Sequence, residues 1–265
     1  MSTDSCRPPA VRARRLAAHR RCIAALTVLA LSQAPAVVHA ADTSDPLSIT
    51  AFSNAPTGTP PAPWQFETLP KKQDTQFTVV VLDGAHVLKA DASSSYGNLV
   101  HDLHVPVADH AWVNWKWRVD QLVENADLTS RSGDDSAARL CVFFDYDASK
   151  LPFGERTSLK LARSISGTPV PTETLCYVWD NKLPADSRLN NAFTKRVRLI
   201  VLESGTEKLG QWVSERRDIA ADYLRAFADE AGGKVPDITG IGISVDSDNT
   251  RGHGVSYFGD VSLAP

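Results

Sequence analysis

Along AWVNWKWRVD (111–120) every second residue is apolar: Val113, Trp115, Trp117 and Val119 point one way, and Asn114, Lys116, Arg118 and Asp120 the other. A period of two belongs to a strand with one buried and one wet face. The same alternation recurs along the chain. QFTVVVLDGAHVLKADA (76–92) places Asp83-Gly84 between two β-branched, apolar runs, and Asp-Gly suits the positive φ of a tight hairpin turn. YGNLVHDLHV, SAARLCVFFD (136–145), ETLCYVWD (173–180), KRVRLIVLES (195–204), ITGIGISVD (238–246) and GVSYFGDVSL (254–263) continue the series. Short strands at this spacing, with turn residues between them, predict an all-β sandwich. One or two short helices are expected at its edge. RTSLKLARSIS (156–166) gathers Leu159, Ala162 and Ile165 on one side. In DIAADYLRAFADEAGG (218–233), Asp218 can cap, Ile219, Tyr223, Ala226 and Phe227 form a stripe, and Gly232-Gly233 can end the helix.

The ends are of another kind. Arg12, Arg14, Arg15, Arg20 and Arg21 precede an apolar run from Ile23 to Leu31, and small residues precede Ala41. That is the order of a cleaved secretory signal peptide over 1–40, and the run falls short of the ~20 residues a span needs. An uncut anchor is the alternative, and Arg20-Arg21 leaves both general and twin-arginine export open. Residues 41–63, dense in Pro and Gly, read as a flexible leader to a single domain over 64–265. The whole chain is −3 and its first forty residues hold six Arg and one Asp, +5, which leaves −8 on the rest. An acidic exported protein of this kind is a poor candidate for nucleic acid, whose phosphates call for Lys and Arg, and by its overall charge also for an anionic membrane surface. No second apolar stretch is long enough to span a membrane.

Motifs for chemistry are sparse. Gly-x-Ser-x-Gly, Ser-x-x-Lys and Cys-x-x-Cys are absent. Cys141 and Cys176 lie in expected strands, where they form either a disulfide or two small buried thiols. His101 and His104 fall on opposite faces of their strand and cannot readily share a zinc. Aspartates pair at strand ends: Asp134-Asp135, Asp145 with Asp147, and Asp246 with Asp248 in VDSDNTRGHG. Such pairs serve acid–base chemistry, calcium or simple turns. The EF-hand spacing fails, because Gly252 is misplaced. Arg118 and Arg139 lie within strands, Arg139 on the face of Cys141 and Phe143, and acidic partners are expected among Asp145, Asp246 and Asp248. Trp179, beside Asp180 and Asn181, offers an aromatic platform at a strand end, although a sandwich tryptophan is commonly core.

LKADASSSYGNLVHDL, VNWKWRVD, DDSAARLCVFF, TLCYVWDN, GQWVSERRDIAADYLRAF and GIGISVDSDNT resemble, in order, a bacterial exported family known as domain of unknown function 3047. More loosely, the layout is similar to galactose-binding-like jelly-roll carbohydrate-binding modules. That likeness implies a jelly roll and raises a structural calcium near Asp260, whose N-terminal half-site is missing here; no other cofactor is expected. The functional expectation is non-catalytic binding of a glycan or small polar ligand, lined by Arg118, Arg139, Asp145, Trp179, Asp246, Asp248 and Asn249. The alternatives are a polysaccharide-acting hydrolase or lyase using the aspartates, and a structural or assembly factor of the cell envelope.

Overall fold

A computed structural model describes residues 47–108, 111–166 and 170–265; the expected signal peptide and the start of the leader lie outside the described residues. β6 (Trp112–Gln121) sits in the middle of one seven-stranded sheet with β1 (Leu47–Ser48), β3 (Gln76–Leu82), β4 (Ala85–Ser93), β11 (Val213–Asp218), β13 (His253–Phe258) and β14 (Ser262–Ala264). The order is β1-β14-β6-β13-β4-β3, with β11 also paired to β6. The second sheet runs β2-β5-β12-β7-β8-β10-β9. Its strands are β2 (Gln65–Glu67), β5 (Asn98–Val105), β7 (Ser136–Phe144), β8 (Glu173–Asp180), β9 (Arg188–Asn190), β10 (Val197–Ser204) and β12 (Ile238–Asp246). All pairings are antiparallel except β8 with β10. This is a jelly-roll β-sandwich with two helices, α1 (Phe153–Ser166) and α2 (Ile219–Ala226), outside the sheets. The hairpin turn has positive φ at Asp83 (52°) and Gly84 (80°), as Asp-Gly predicts.

The alternating faces meet as their period requires. Val113, Trp115, Trp117 and Val119 are buried against Leu140, Val142 and Phe144 of β7 and Leu175, Tyr177 and Trp179 of β8. Rings meet between the sheets, Trp115 tilted against Tyr177 at 5.3 Å and Trp117 edge-on to Trp179 at 6.0 Å. Trp179 is therefore core, 1% exposed, with Nε1 donating to the Gly205 carbonyl at 3.1 Å. The rim platform expected of it does not exist, because it has the inward parity of Leu175 and Tyr177.

Other departures have local causes. Part of the expected leader packs on the domain: Ile49, Phe52 and Ala55 are buried, and Phe52 stacks on Trp64 at 5.0 Å. GVSYFGDVSL breaks into β13 and β14 where Asp260 turns to accept from the Ser53 N–H (3.0 Å) and Oγ (2.5 Å). Those bonds occupy both oxygens of the residue for which the looser resemblance raised calcium. β11, SERRD-rich, hides its strand character behind charge, and its last residue Asp218 caps α2 by accepting from the Ala221 N–H at 2.9 Å. Ile219, Tyr223 and Phe227 are buried as the stripe predicts. On α1 only Leu159 is buried; Ala162 and Ile165, expected on its inner side, are exposed.

An ion network fastens the helices to the sheet end. Arg196 of the β9–β10 loop reaches Glu173 (2.9 Å), Glu155 of α1 (2.9 Å) and Glu230 after α2 (2.7 Å), and Tyr223 donates to Glu173. Burial, reinforced by Glu230, pushes Glu173 up to about 7 from an ordinary 4.5, against the pull of its Tyr223 hydrogen bond and Arg196. Between those two pH values the folded chain holds a proton that the unfolded chain lacks, so this group's contribution to stability falls as pH rises toward 7. Denaturation midpoints should decline from pH 5 to 7, and Glu173→Gln should make the decline shallower, Glu215 and Asp246, also raised to about 7 by burial, supplying the rest. An unchanged slope in the variant would show that Glu173 is not its source.

Candidate functional site

The outer face of the second sheet is concave, and its strand alternation decides what lines it. Asn98, Val100 and Asp102 of β5, Gly242, Ser244 and Asp246 of β12, Arg139, Cys141 and Phe143 of β7, and Thr174 and Cys176 of β8 all border one groove of about 740 Å³. Leu69 and Lys72 wall one side, and Arg163 and Ser166 of α1, Thr172, Asn191 and Phe193 the other. The rest of this face is closed: Leu128, Leu183 and Leu189 pack over Val178 and Leu199.

Two features shape the floor. Cys141 and Cys176, directly opposed in the β7–β8 register, are joined by a disulfide (S–S 2.02 Å, Cα–Cα 4.0 Å). Gly242 lets the Phe143 ring lie across β12, since a Cβ there would sit 2.6 Å from the ring. The groove floor is thus apolar at its centre, with hydroxyls and amides around it.

One end is a charged cluster. Arg139 is buried and places Nη2 at 3.1 Å from Asp134 and Nη1 at 3.5 Å from Asp246. Asp246 accepts from the Ser136 N–H at 2.9 Å, and Asn191 donates to Asp134. Burial drives the Asp246 carboxyl up, helped by Asp135 and Asp134 and opposed by Arg139, because one guanidinium cannot offset three close carboxylates. Asp135 holds the VDSDNTRGHG loop: it accepts from the Asn249 N–H (3.1 Å), the Thr250 N–H (2.7 Å) and the Thr250 hydroxyl (2.6 Å). Asp248 pairs with Lys72. Asp135, Asp246 and Asp248 bring one oxygen each within 4.8 Å of one another. The protein's own donors also engage these carboxylates: Ser136 and Arg139 on Asp246, Asn249 and Thr250 on Asp135, and Lys72 on Asp248.

The expected site therefore divides. Arg139, Asp246, Asp248 and Asn249 do converge, with Arg139 on Asp246 as expected, at one end of the groove. Asp145 also borders the groove but is exposed, beyond the end of β7, and does not pair with Arg139. Arg118 belongs to the other sheet, where Asp120 (2.6 Å) and Asp83 (3.3 Å) hold it; the polar face of β6 is not the concave one. Sequence reasoning missed Asn98, Phe143, Thr174 and Asn191. Alternation sets the face of Asn98, Phe143 and Thr174 only within their own strands; the pairing of β5, β12, β7 and β8 brings those faces side by side, and Asn191 follows the end of β9.

Fold and groove together define a jelly-roll protein with an open concave face. The chain belongs to the family described as "Protein of unknown function (DUF3047)", which matches residues 62–262. No curated protein sequence matches it significantly. Among solved structures it is similar to the native family 12 xyloglucanase from Bacillus licheniformis, at 10% identity over 84% of this chain and 97% of that one, TM-score 0.43. It is also similar to the xyloglucanase domain of NopAA from Sinorhizobium fredii (9% identity, 78% and 99% covered, TM-score 0.41). A third is endoglucanase 3 from Trichoderma harzianum (10% identity, 78% and 99% covered, TM-score 0.39).

Proposed function

We propose that the protein is an exported, non-catalytic binder of an uncharged glycan, held in the concave groove. The groove itself carries this reading. Its volume is in the range of small-molecule sites, ~300–1,000 Å³. Its floor offers the Phe143 face and the disulfide to a sugar's apolar side, and Asn98, Thr172, Thr174 and Asn191 offer amides and hydroxyls to sugar hydroxyls. Six carboxylates border it (Glu67, Asp102, Asp134, Asp145, Asp246, Asp248) against three cations (Lys72, Arg139, Arg163), a balance that repels polyanionic glycans. A disulfide at the floor fits an oxidising compartment, in accord with the signal-like start of the chain.

Hydrolysis is less well served. A retaining glycosidase needs two carboxyls ~5–5.5 Å apart that both face the scissile bond. Asp246 is buried with its oxygens on Ser136 and Arg139, and Asp248 is held by Lys72. Neutral oligosaccharides titrated calorimetrically should bind without release of reducing ends. Thr174→Trp and Asn98→Trp, each filling the groove, should weaken binding at least tenfold while the thermal midpoint of at least one stays near wild type. Binding unaffected by both, or turnover that Asp246→Asn and Asp248→Asn abolish while sparing affinity, would refute the proposal.

A further inference from the structure

Helix α1 is little used by the fold. Only Leu159 is buried, whereas Phe153, Leu161 and Ile165 are 78%, 60% and 57% exposed. Phe153, Thr157, Leu161 and Ile165 succeed one another at intervals of four, which lines them along one outer face. Glu155 lies nearer the sheet, where it pairs with Arg196 at 2.9 Å. Arg156 and Lys160 border the apolar stripe on one flank, and no acidic side chain pairs with either among the described residues. The outside of α1 therefore carries a local pair of cations on a chain that is −3 overall and −8 beyond its first forty residues. Fourteen residues make a helix ~21 Å long. An apolar stripe edged by basic residues is the form of a helix that lies in a membrane interface.

We propose that α1 docks the protein on an anionic lipid surface, with Phe153, Leu161 and Ile165 entering the acyl boundary and Arg156 and Lys160 on headgroup phosphates. Charge complementarity favours lipid over a second copy of the chain. A two-fold contact through the same stripe would set Arg156 and Lys160 against their own symmetry mates, where like charges repel. Docking is independent of what the groove binds. It would nonetheless place one groove wall, Arg163 and Ser166, beside the membrane.

Among the described residues every core residue lies between Ile49 and Leu263, and Ser44–Pro265 forms one compact unit, so residues 44–265 are suited to the test. Flotation with phosphatidylglycerol–phosphatidylcholine vesicles should carry the protein upward, and flotation with pure phosphatidylcholine should not. Leu161→Asp with Ile165→Asp, both at exposed positions, should lower the bound-to-free ratio at least tenfold with the circular dichroism spectrum and thermal midpoint unchanged. Arg156→Gln and Lys160→Gln should each lower it about fivefold, the equivalent of ~1 kcal/mol per basic residue. No flotation on anionic vesicles, equal flotation on neutral ones, or flotation indifferent to these variants would overturn the proposal. So would a dimer in sedimentation equilibrium that Leu161→Asp with Ile165→Asp dissolves, which would make a second copy the occupant.

Discussion

Arg139→Met should destabilise the protein by about 3–5 kcal/mol, the usual loss when one partner is removed from a buried ion pair. The guanidinium lies between Asp134 and Asp246, both nearly inaccessible to water. Without it the two carboxylates face each other and the nearby Asp135 with no cation inside the cluster. Methionine replaces the apolar stem, so the loss reports charge rather than a cavity. Arg139→Lys should recover only part of it, because an ammonium cannot point separate donors at two acids in a fixed fork. Arg139→Met with Asp246→Asn should be more stable than Arg139→Met alone, since it removes one of the stranded charges. Urea unfolding of the four proteins measures this. A loss below about 1 kcal/mol in Arg139→Met would mean that the cluster is wet and not the closed hub described above.

Removal of the disulfide should have the next largest effect. Cys141 and Cys176 are 35 residues apart in sequence and adjacent in space, and α1 lies in the loop they close. Loop-closure entropy assigns about 3–4 kcal/mol to a bridge of this span. Cys141→Ala with Cys176→Ala should lose that much in chemical denaturation. Both sulfurs line the groove floor, and reduction of the wild type should give a comparable loss. Equal stability of oxidised and reduced protein would show that the packing of β7 on β8 suffices without the bond.

Much of the architecture was legible in the sequence, and the reasons are physical. Residues 113–119 and 173–180 carry their faces in period two, and Asp83-Gly84 encodes its own turn. The capping of α2 by Asp218 followed from local chemistry. What failed depended on partners far along the chain. Trp179 resembles a rim residue from its neighbours Asp180 and Asn181, yet strand parity puts it in the core. Phe52 resembles linker because its partner Trp64 lies beyond a run of prolines. β11 was invisible because its residues are charged. Half of the site was similarly readable. Arg139 and Asp246 were matched as a buried cation and its acid, and the two cysteines as candidate partners. Arg118 was misassigned because alternation tells that a face is polar, not which sheet curves around a groove.

The VDSDNTRGHG loop illustrates the limit. Its carboxylates suggested a metal or an acid–base pair. Within the fold their partners are Arg139, Lys72 and the backbone, and Asp135, over a hundred residues earlier in the chain, accepts the loop's own N–H groups. The loop is thereby tied down at one end of the groove.

The central claim is that the ligand lies on the concave face of the second sheet. Amide chemical-shift mapping of isotope-labelled protein during titration with a neutral oligosaccharide tests it most directly. The account predicts shifts concentrated at Asn98, Val100, Phe143, Thr174, Cys176 and Gly242, with Lys89, Lys116 and Tyr257 on the opposite sheet unmoved. Shifts confined to the opposite sheet, or none at saturating concentrations across a panel of neutral glycans, would contradict it.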